Sequence, residues 1–432
     1  MDSQLFEAPG GADFKCVCGR THALNADGVI FCGGAVGDGI AKAAQSVAPS
    51  GSAVFLISDS ATREGTNRAV DKALMRAGYS PAAHIFAKPP AGSVAECAKI
   101  AVPENVRFVV GAGGPVIADV AKYTAARRKI PCILVPTPPF STGLFAPAAA
   151  LTRNGADKTF FTPPPAALVC DPSLSGNSAK EFAAAQFGSL VSKLVALFDW
   201  KAASVLNGEY FCPTVFERAL ALIDAAIQKS RVAAAKTDAD FAGDCVKFSA
   251  LCALLDSNRL NAGAEVQCAR ALKLLCKREL RPLRPSGENE FLFSRVIMRL
   301  YKTYLSGGAD FFVPPPDNNS RLEKISEYLG LSEAAALERL RPVVRLADTR
   351  LNAYKLNEYR DELYALVCDF DMRLQTAWRP FKRLFPDDGY AAVHSLDKAD
   401  VSLLVALAPD LYPEFTLLAY MKDLGLLDGY LY

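Results

Sequence analysis

With 432 residues, 51% of them hydrophobic and 22% charged, the chain has the make-up of an ordinary globular protein long enough for two cores. A formal charge of +2 gives no global reason to expect nucleic acid or an anionic membrane as partner. No apolar run reaches the roughly 18–20 residues that cross a bilayer, and the opening MDSQLFEAPGGADF lacks a basic segment followed by an apolar core, so a cytoplasmic location is expected.

The first half alternates strand and helix. GVIFC at 28–32 reads as a strand that runs into a glycine-rich turn at 33–37 and a helix over Ile40–Val47. Ala53–Ser58 is a buried strand ending at Asp59, and a helix from about Arg63 to Ala77 is closed by Gly78. His84–Ala87 is a further strand, followed by a helix over Val94–Ile100. Phe108-Val109-Val110 then enters Gly111-Ala112-Gly113-Gly114. A helical pattern opens behind it, with Ile117, Val120 and Ala121 facing a core and Asp119 and Lys122 on the polar side. Pro131–Pro136 is the most strand-like run of all. Short apolar strands separated by helices argue for parallel pairing in a doubly wound sheet over roughly residues 25–150.

Two features of this half have a functional reading. Strand, glycine-rich turn and helix together offer backbone N–H groups to a phosphate, although a tight turn with no ligand fits the same pattern. Asp59, at a strand end, stands where a carboxylate often meets an adenosine ribose, or simply starts the next helix.

The twelve cysteines are scattered, as core thiols of a reducing compartment are. Cys16-Val17-Cys18 with His22 has part of a zinc pattern. Four ligands are normally required and no second Cys/His pair lies nearby, so no metal is expected there.

A link from Ala146 to Asp171 is rich in Ala, Thr and Pro, and beyond it the strand signal stops. Beyond Lys180, helical spacing persists through Phe182–Ala202, Thr214–Lys236, Phe241–Leu260, Ala264–Leu280, Phe291–Leu305, Ile325–Leu329, Ala334–Leu346 and Tyr359–Leu374. A basic cluster, Lys273, Lys277, Arg278, Arg281, Arg284, Arg295, Arg299 and Lys302, suits either an anionic ligand or a solvated face balanced by Glu279, Glu288 and Glu290. No aromatic-interleaved basic stripe accompanies it, so nucleic-acid binding is not expected.

Several segments, in order, resemble the glycerol-1-phosphate dehydrogenases of the iron-containing alcohol dehydrogenase and dehydroquinate synthase-like superfamily. Phe14–His22 is similar to the opening FxCxCGxxH, and Asp59–Thr62 to DxNT. Gly111–Lys122 resembles GVGGGKVIDVAK, and Val135-Pro136-Thr137 with Gly143 resembles VPTAASHDG. Gln186–Lys193 with Asp199-Trp200 is similar to GFGDLISK…DW, Arg284–Arg295 to RPASGSEHLFSH, and Leu424–Leu427 to the family tail. The resemblance implies an α/β fold: an N-terminal doubly wound, Rossmann-like parallel-sheet domain over 1–175 and an all-helical C-terminal domain over 176–432. It also implies NAD or NADP as cofactor, held by Asp59, Thr62, Gly111, Gly113, Gly114, Asp119, Lys122 and Thr137.

The family's divalent metal is held by one aspartate and two histidines. Here those motif positions carry Ser189 and Phe291, and no HGE segment supplies the third ligand, since the only histidines are His22, His84 and His394. Arg295 replaces a substrate-side histidine, Thr142 a substrate aspartate, and Ala146 a cofactor-contacting serine. Pro115 stands for the third glycine and removes one N–H from the turn, while Val116 replaces a lysine. A metal at the family position is therefore not expected.

Two function classes follow. One is a binding protein that keeps the fold without the metal-dependent hydride transfer, taking a nucleotide or small phosphorylated metabolite, as a homodimer or beside an active paralogue. The other is an active NAD(P)-dependent oxidoreductase of glycerol-1-phosphate and dihydroxyacetone phosphate type, with Arg295 and Lys193 stabilising the developing alkoxide in place of the metal.

Overall fold

The computed structural model describes residues 13–23, 29–32, 34–154, 156–174, 182–232, 239–282, 284–307, 317–340, 346–385 and 398–427. Gly28, Gly33, His394 and the final DGYLY lie outside them. The chain divides into two compact units. The first comprises Met1–Gln186, Pro213–Leu222 and Lys236–Asn258, and the second Phe187–Cys212, Ile223–Ala235 and Arg259–Tyr432.

The first unit opens with a small antiparallel hairpin, β1 (Asp13–Lys15) and β2 (Thr21–Ala23). Six parallel strands follow: β3 (Val29–Phe31), β4 (Ala53–Asp59), β5 (Ser80–Phe86), β6 (Phe108–Gly113), β7 (Cys132–Pro136) and β10 (Ala167–Cys170). Their spatial order is β3-β10-β7-β6-β4-β5. Between them run α1 (Val36–Val47), α2 (Ser60–Gly65), α3 (Ala69–Arg76), α4 (Val94–Ala98) and α5 (Pro115–Arg128). Every residue of β6 and β7 is buried, which is why both read as unbroken apolar runs. Ile40, Ala44, Val54, Leu56, Leu74, Phe108, Val110 and Val135 belong to one core cluster of strand and helix side chains.

Three expectations are corrected. The single helix placed over Arg63–Ala77 is two, because Asn67 and Arg68 take left-handed backbone angles (φ 49° and 51°) between α2 and α3. The sheet extends past residue 150 to β10, which inserts between β3 and β7. The link Ala146–Asp171 is not strandless: β8 (Ala148–Arg153) and β9 (Ala156–Phe161) form a hairpin turned at Asn154 (φ 52°). Its alanines carry little β-propensity, so the pairing is set by context rather than by local sequence.

The second unit is helical among the described residues. Its main helices are the later part of α6 (Ala183–Val191), α7 (Lys193–Asn207), the later part of α8 (Pro213–Arg231), α10 (Ala264–Arg278), α11 (Ser286–Ser306), α12 (Asn318–Leu329) and α13 (Leu346–Arg383). The helix α9 (Ala239–Leu254) groups with the first unit. Trp200, Phe198, Tyr301, Tyr304 and Phe291 are fully buried in this unit. No helix of the described residues is long and apolar enough to cross a membrane.

Candidate functional site

The strand order creates a specific place in the first unit. From β4 the chain moves outward to β5, whereas from β6 it moves the opposite way to β7. Adjacent strands whose connections diverge leave a crevice beyond their carboxyl ends, where ligands of open α/β sheets bind. Asp59 ends β4, Gly113 ends β6 and Pro136 ends β7, in one rank set by the pairs Ser58↔Ala112, Ala112↔Val135 and Gly113↔Pro136. Thr137 follows, its N–H donating to Gly113 O (3.0 Å). The sequence-selected residues of the glycine turn, Asp59 and Thr137 therefore meet at this edge.

Each glycine of the turn has a separate reason. A Cβ on Gly111 would lie 2.5 Å from Ala121 Cβ and 3.0 Å from Leu134 Cδ2, so only glycine lets α5 lie this close to β6. Gly113 has φ +155° and presses on Ile117. Gly114 is the N-cap of α5, with nothing nearer than Pro138 O at 3.9 Å where a side chain would stand. Pro115 takes the first helical position, where its fixed φ suits the helix and no interior hydrogen bond is lost. The helix closes with Ala118 N–H on Gly114 O (3.1 Å), which leaves the N–H groups of Val116 and Ile117 in its open first turn.

Asp59 is the N-cap of α2: one carboxylate oxygen accepts from Thr62 N–H (2.9 Å) and the other from the Thr62 hydroxyl (2.8 Å). Lys122 corrects the expectation of a polar side. It is 2% exposed, paired with Asp119 (3.0 Å), and donates to Ala148 O and Gly143 O. The β8–β9 hairpin covers that face of α5, which the helical period alone could not reveal. Thr142 and Ala146 are both buried.

In the second unit Phe291 is completely buried against Phe381 (4.2 Å between ring centroids), Phe187 and Trp378 (6.2 Å each). Ser189 is half-buried on α6. Lys193, 1% exposed, is held between Glu290 (2.8 Å) and Glu265 (3.3 Å). Arg295, one turn beyond Phe291 on α11, lies 3.6 Å over the Trp378 ring. Members of the basic cluster pair with acids of the same unit: Arg278 with Glu279, Arg281 with Glu279 and Asp400, Arg284 with Glu288, and Lys302 with Asp371.

Burial dominates the titration of this region. Glu265 is pushed up to about 7 by desolvation, against the pull of Lys193, and its second oxygen has no hydrogen-bond partner among the described residues. Two carboxylates sharing one ammonium in a dry site favour a proton on one of them, and burial acts in that direction at Glu265. Asp199 is pushed up to about 6 by burial, opposed by the N–H groups of Leu417 (2.8 Å) and Ala264 (2.9 Å) at two helix starts; the Tyr301 hydroxyl (3.0 Å) also donates to it. Glu265 was not legible in the sequence, because nothing in Gly263-Ala264-Glu265 marks a buried carboxylate.

The structure also changes the reading of the cysteines. No disulfide is formed, and burial pushes the Cys132 and Cys170 thiols up to about 12, which makes them inert core groups. The expectation that Cys16, Cys18 and His22 lack a fourth ligand is overturned: Cys212 joins them, with all four ligand atoms within 4.8 Å of one another. It lies far along the chain, and no sequence spacing connects it to the hairpin.

Comparison with known proteins agrees with this geometry. Residues 37–178 match the family profile of iron-containing alcohol dehydrogenase. The chain has the iron-containing alcohol dehydrogenase fold. It superposes on a glycerol dehydrogenase from Schizosaccharomyces pombe with TM-score 0.55 and 14% identity, covering 98% of this chain and 90% of that one. The archaeal halo-thermophilic Red Sea brine pool alcohol dehydrogenase gives TM-score 0.57 and 15% identity over 95% of this chain and 98% of that one. In sequence, glycerol-1-phosphate dehydrogenase [NAD(P)+] of Bacillus licheniformis is 32% identical over 139 residues, 32% of this chain and 35% of that protein. The Metallosphaera sedula protein of the same name is 35% identical over 107 residues, 25% of this chain and 30% of its own length. These sequence matches thus span about a third of the relatives they match.

Proposed function

We propose that the protein binds a nicotinamide dinucleotide at the β4–β6 crevice and does not carry out metal-dependent hydride transfer. The observation that carries the second half is Phe291. At the position of a family metal histidine stands a phenyl ring packed into an aromatic box, while Ser189 replaces the aspartate. A benzene ring offers no lone pair, and a serine hydroxyl is a poor ligand for zinc. The residues at those positions do not fit that metal.

The nucleotide frame fits better. The pyrophosphate would sit at the start of α5, against the N–H groups of Val116 and Ile117 and the open flank of Gly114, with the helix dipole favouring its charge. Asp59 and Thr137 border the same edge, and Asp59 keeps acceptor capacity beyond its two bonds to Thr62. Gly111, Asp119 and Lys122 support the site from behind: the glycine sets the strand–helix distance, and Lys122, paired with Asp119 within α5, fastens the helix to the loop by donating to Gly143 O. Lys193 is committed to two carboxylates and Arg295 to an indole face, so neither carries this reading as a catalytic group. On this account the protein acts by binding, in the cytoplasm, as a homodimer or beside an active paralogue.

Calorimetric titration of the full chain with NADH and NADPH tests the proposal. Binding of one of them is expected, weakened at least tenfold in Gly114→Glu, whose side chain has room to fold but places a negative charge at the phosphate position. Failure of the wild type to bind either nucleotide would overturn it.

A further inference from the structure

The N-terminal hairpin is small. Its strands have three residues each, and Val17 at the tip is 86% exposed. A two-stranded ribbon of this size is not stable in water unaided. What it does is gather metal-binding atoms. Cys16 N–H donates to Arg20 O (2.9 Å) and Gly19 N–H to Cys16 O (3.0 Å), with Gly19 at φ +84°, and this tight loop brings Cys16, Cys18 and His22 together. Cys212 completes the set from the residue at which the chain passes into the first unit, just before Pro213.

We infer that Cys16, Cys18, His22 and Cys212 bind one zinc ion as a structural site, independently of the nucleotide proposed above. Tetrahedral zinc with bonds of about 2.3 Å to sulfur and 2.0 Å to nitrogen sets its ligand atoms about 3.5–3.8 Å apart. The four atoms already lie within 4.8 Å, and Cys18 Sγ stands 3.3 Å from His22 Nε2.

The histidine is oriented as a ligand. Its Nδ1 lies 2.8 Å from Leu254 O, and a carbonyl only accepts, so Nδ1 carries the proton and Nε2 presents its lone pair to the sulfurs. A carbonyl on the far ring nitrogen is the usual partner of a metal-bound imidazole. Cys212 is the N-cap of α8, yet its side chain makes no capping hydrogen bond. Thr214, the second residue of the same helix, has its hydroxyl 3.2 Å from Cys16 Sγ and would donate to a thiolate there. Three thiolates with one imidazole favour zinc over hard cations, and four protein ligands leave no open position for substrate. The ion would tie the hairpin to the start of α8 and, through His22, to the end of α9.

The test is elemental analysis of the full chain, purified without a histidine tag, alongside cobalt substitution. One zinc per chain is expected, and cobalt should give the intense visible bands of a tetrahedral thiolate site. Cys16→Ser and Cys212→Ser should each reduce zinc to background, while Cys368→Ser, outside the cluster, should retain it. If the ligand variants do not fold, a mercurial titration of the wild type should release zinc in step with thiol modification. A metal-free wild type, zinc retained in both ligand variants, an octahedral cobalt spectrum, iron–sulfur absorption, or zinc that thiol modification does not release would overturn the inference.

Discussion

The glycine turn of the first unit and the Lys193–Glu290 pair of the second both lie in segments that resemble family motifs, but they are constrained by different physics. At the turn the constraint is space: Gly111 has no room for a methyl group, and Gly113 has a backbone angle that side chains resist. At the cluster it is charge: one buried ammonium answers two buried carboxylates, and removing it strands both. On the proposed reading, the positions beside each scaffold differ in what they keep. Around the turn the backbone donors remain available. Beside Lys193 and Glu290, the next residue on the helix is Phe291, in an aromatic box. A scaffold residue can persist for packing or charge balance while the chemistry next to it changes.

The largest effect should come from breaking the charge scaffold. Lys193→Met leaves Glu265 and Glu290 buried without their cation and should destabilise the chain by about 3–5 kcal/mol in urea denaturation. A cost under about 1 kcal/mol would mean that both carboxylates are already protonated. Phe291→Ala should lose a similar amount, about 3–5 kcal/mol, by opening a cavity in the aromatic box. A near-neutral result there would show that the box is loosely packed and the position open.

Gly111→Ala tests the steric side and should cost about 1–3 kcal/mol, because both α5 and Leu134 must give way. Smaller still is a pH effect. Glu265 ionises near pH 7 in the fold but near 4.5 when unfolded. The folded state therefore binds the extra proton between those values, and stability must fall as pH rises through that window. The same sign applies to Asp199 between 3.8 and about 6. Glu265→Gln should flatten the profile between pH 4.5 and 7 by about 1–3 kcal/mol, and an unchanged slope would assign the titration elsewhere.

Much of the sheet was legible in the sequence because β4, β6 and β7 are buried on both faces and read as apolar runs. The glycine spacing placed the turn as well. What escaped was decided by partners distant in sequence. The strand β8 is alanine-rich and carries little strand signature, and Lys122 became internal only because the β8–β9 hairpin covers it. Glu265 meets Lys193, and Cys212 meets Cys16, across separations that no local period encodes.

The central claim is that the dehydrogenase fold is kept here without the metal-dependent reaction. It is tested most directly by following NADH and NADPH oxidation with dihydroxyacetone phosphate, in zinc-supplemented buffer and again after chelation. The account predicts no turnover above the protein-free control in either condition. Turnover in zinc that chelation abolishes would contradict it.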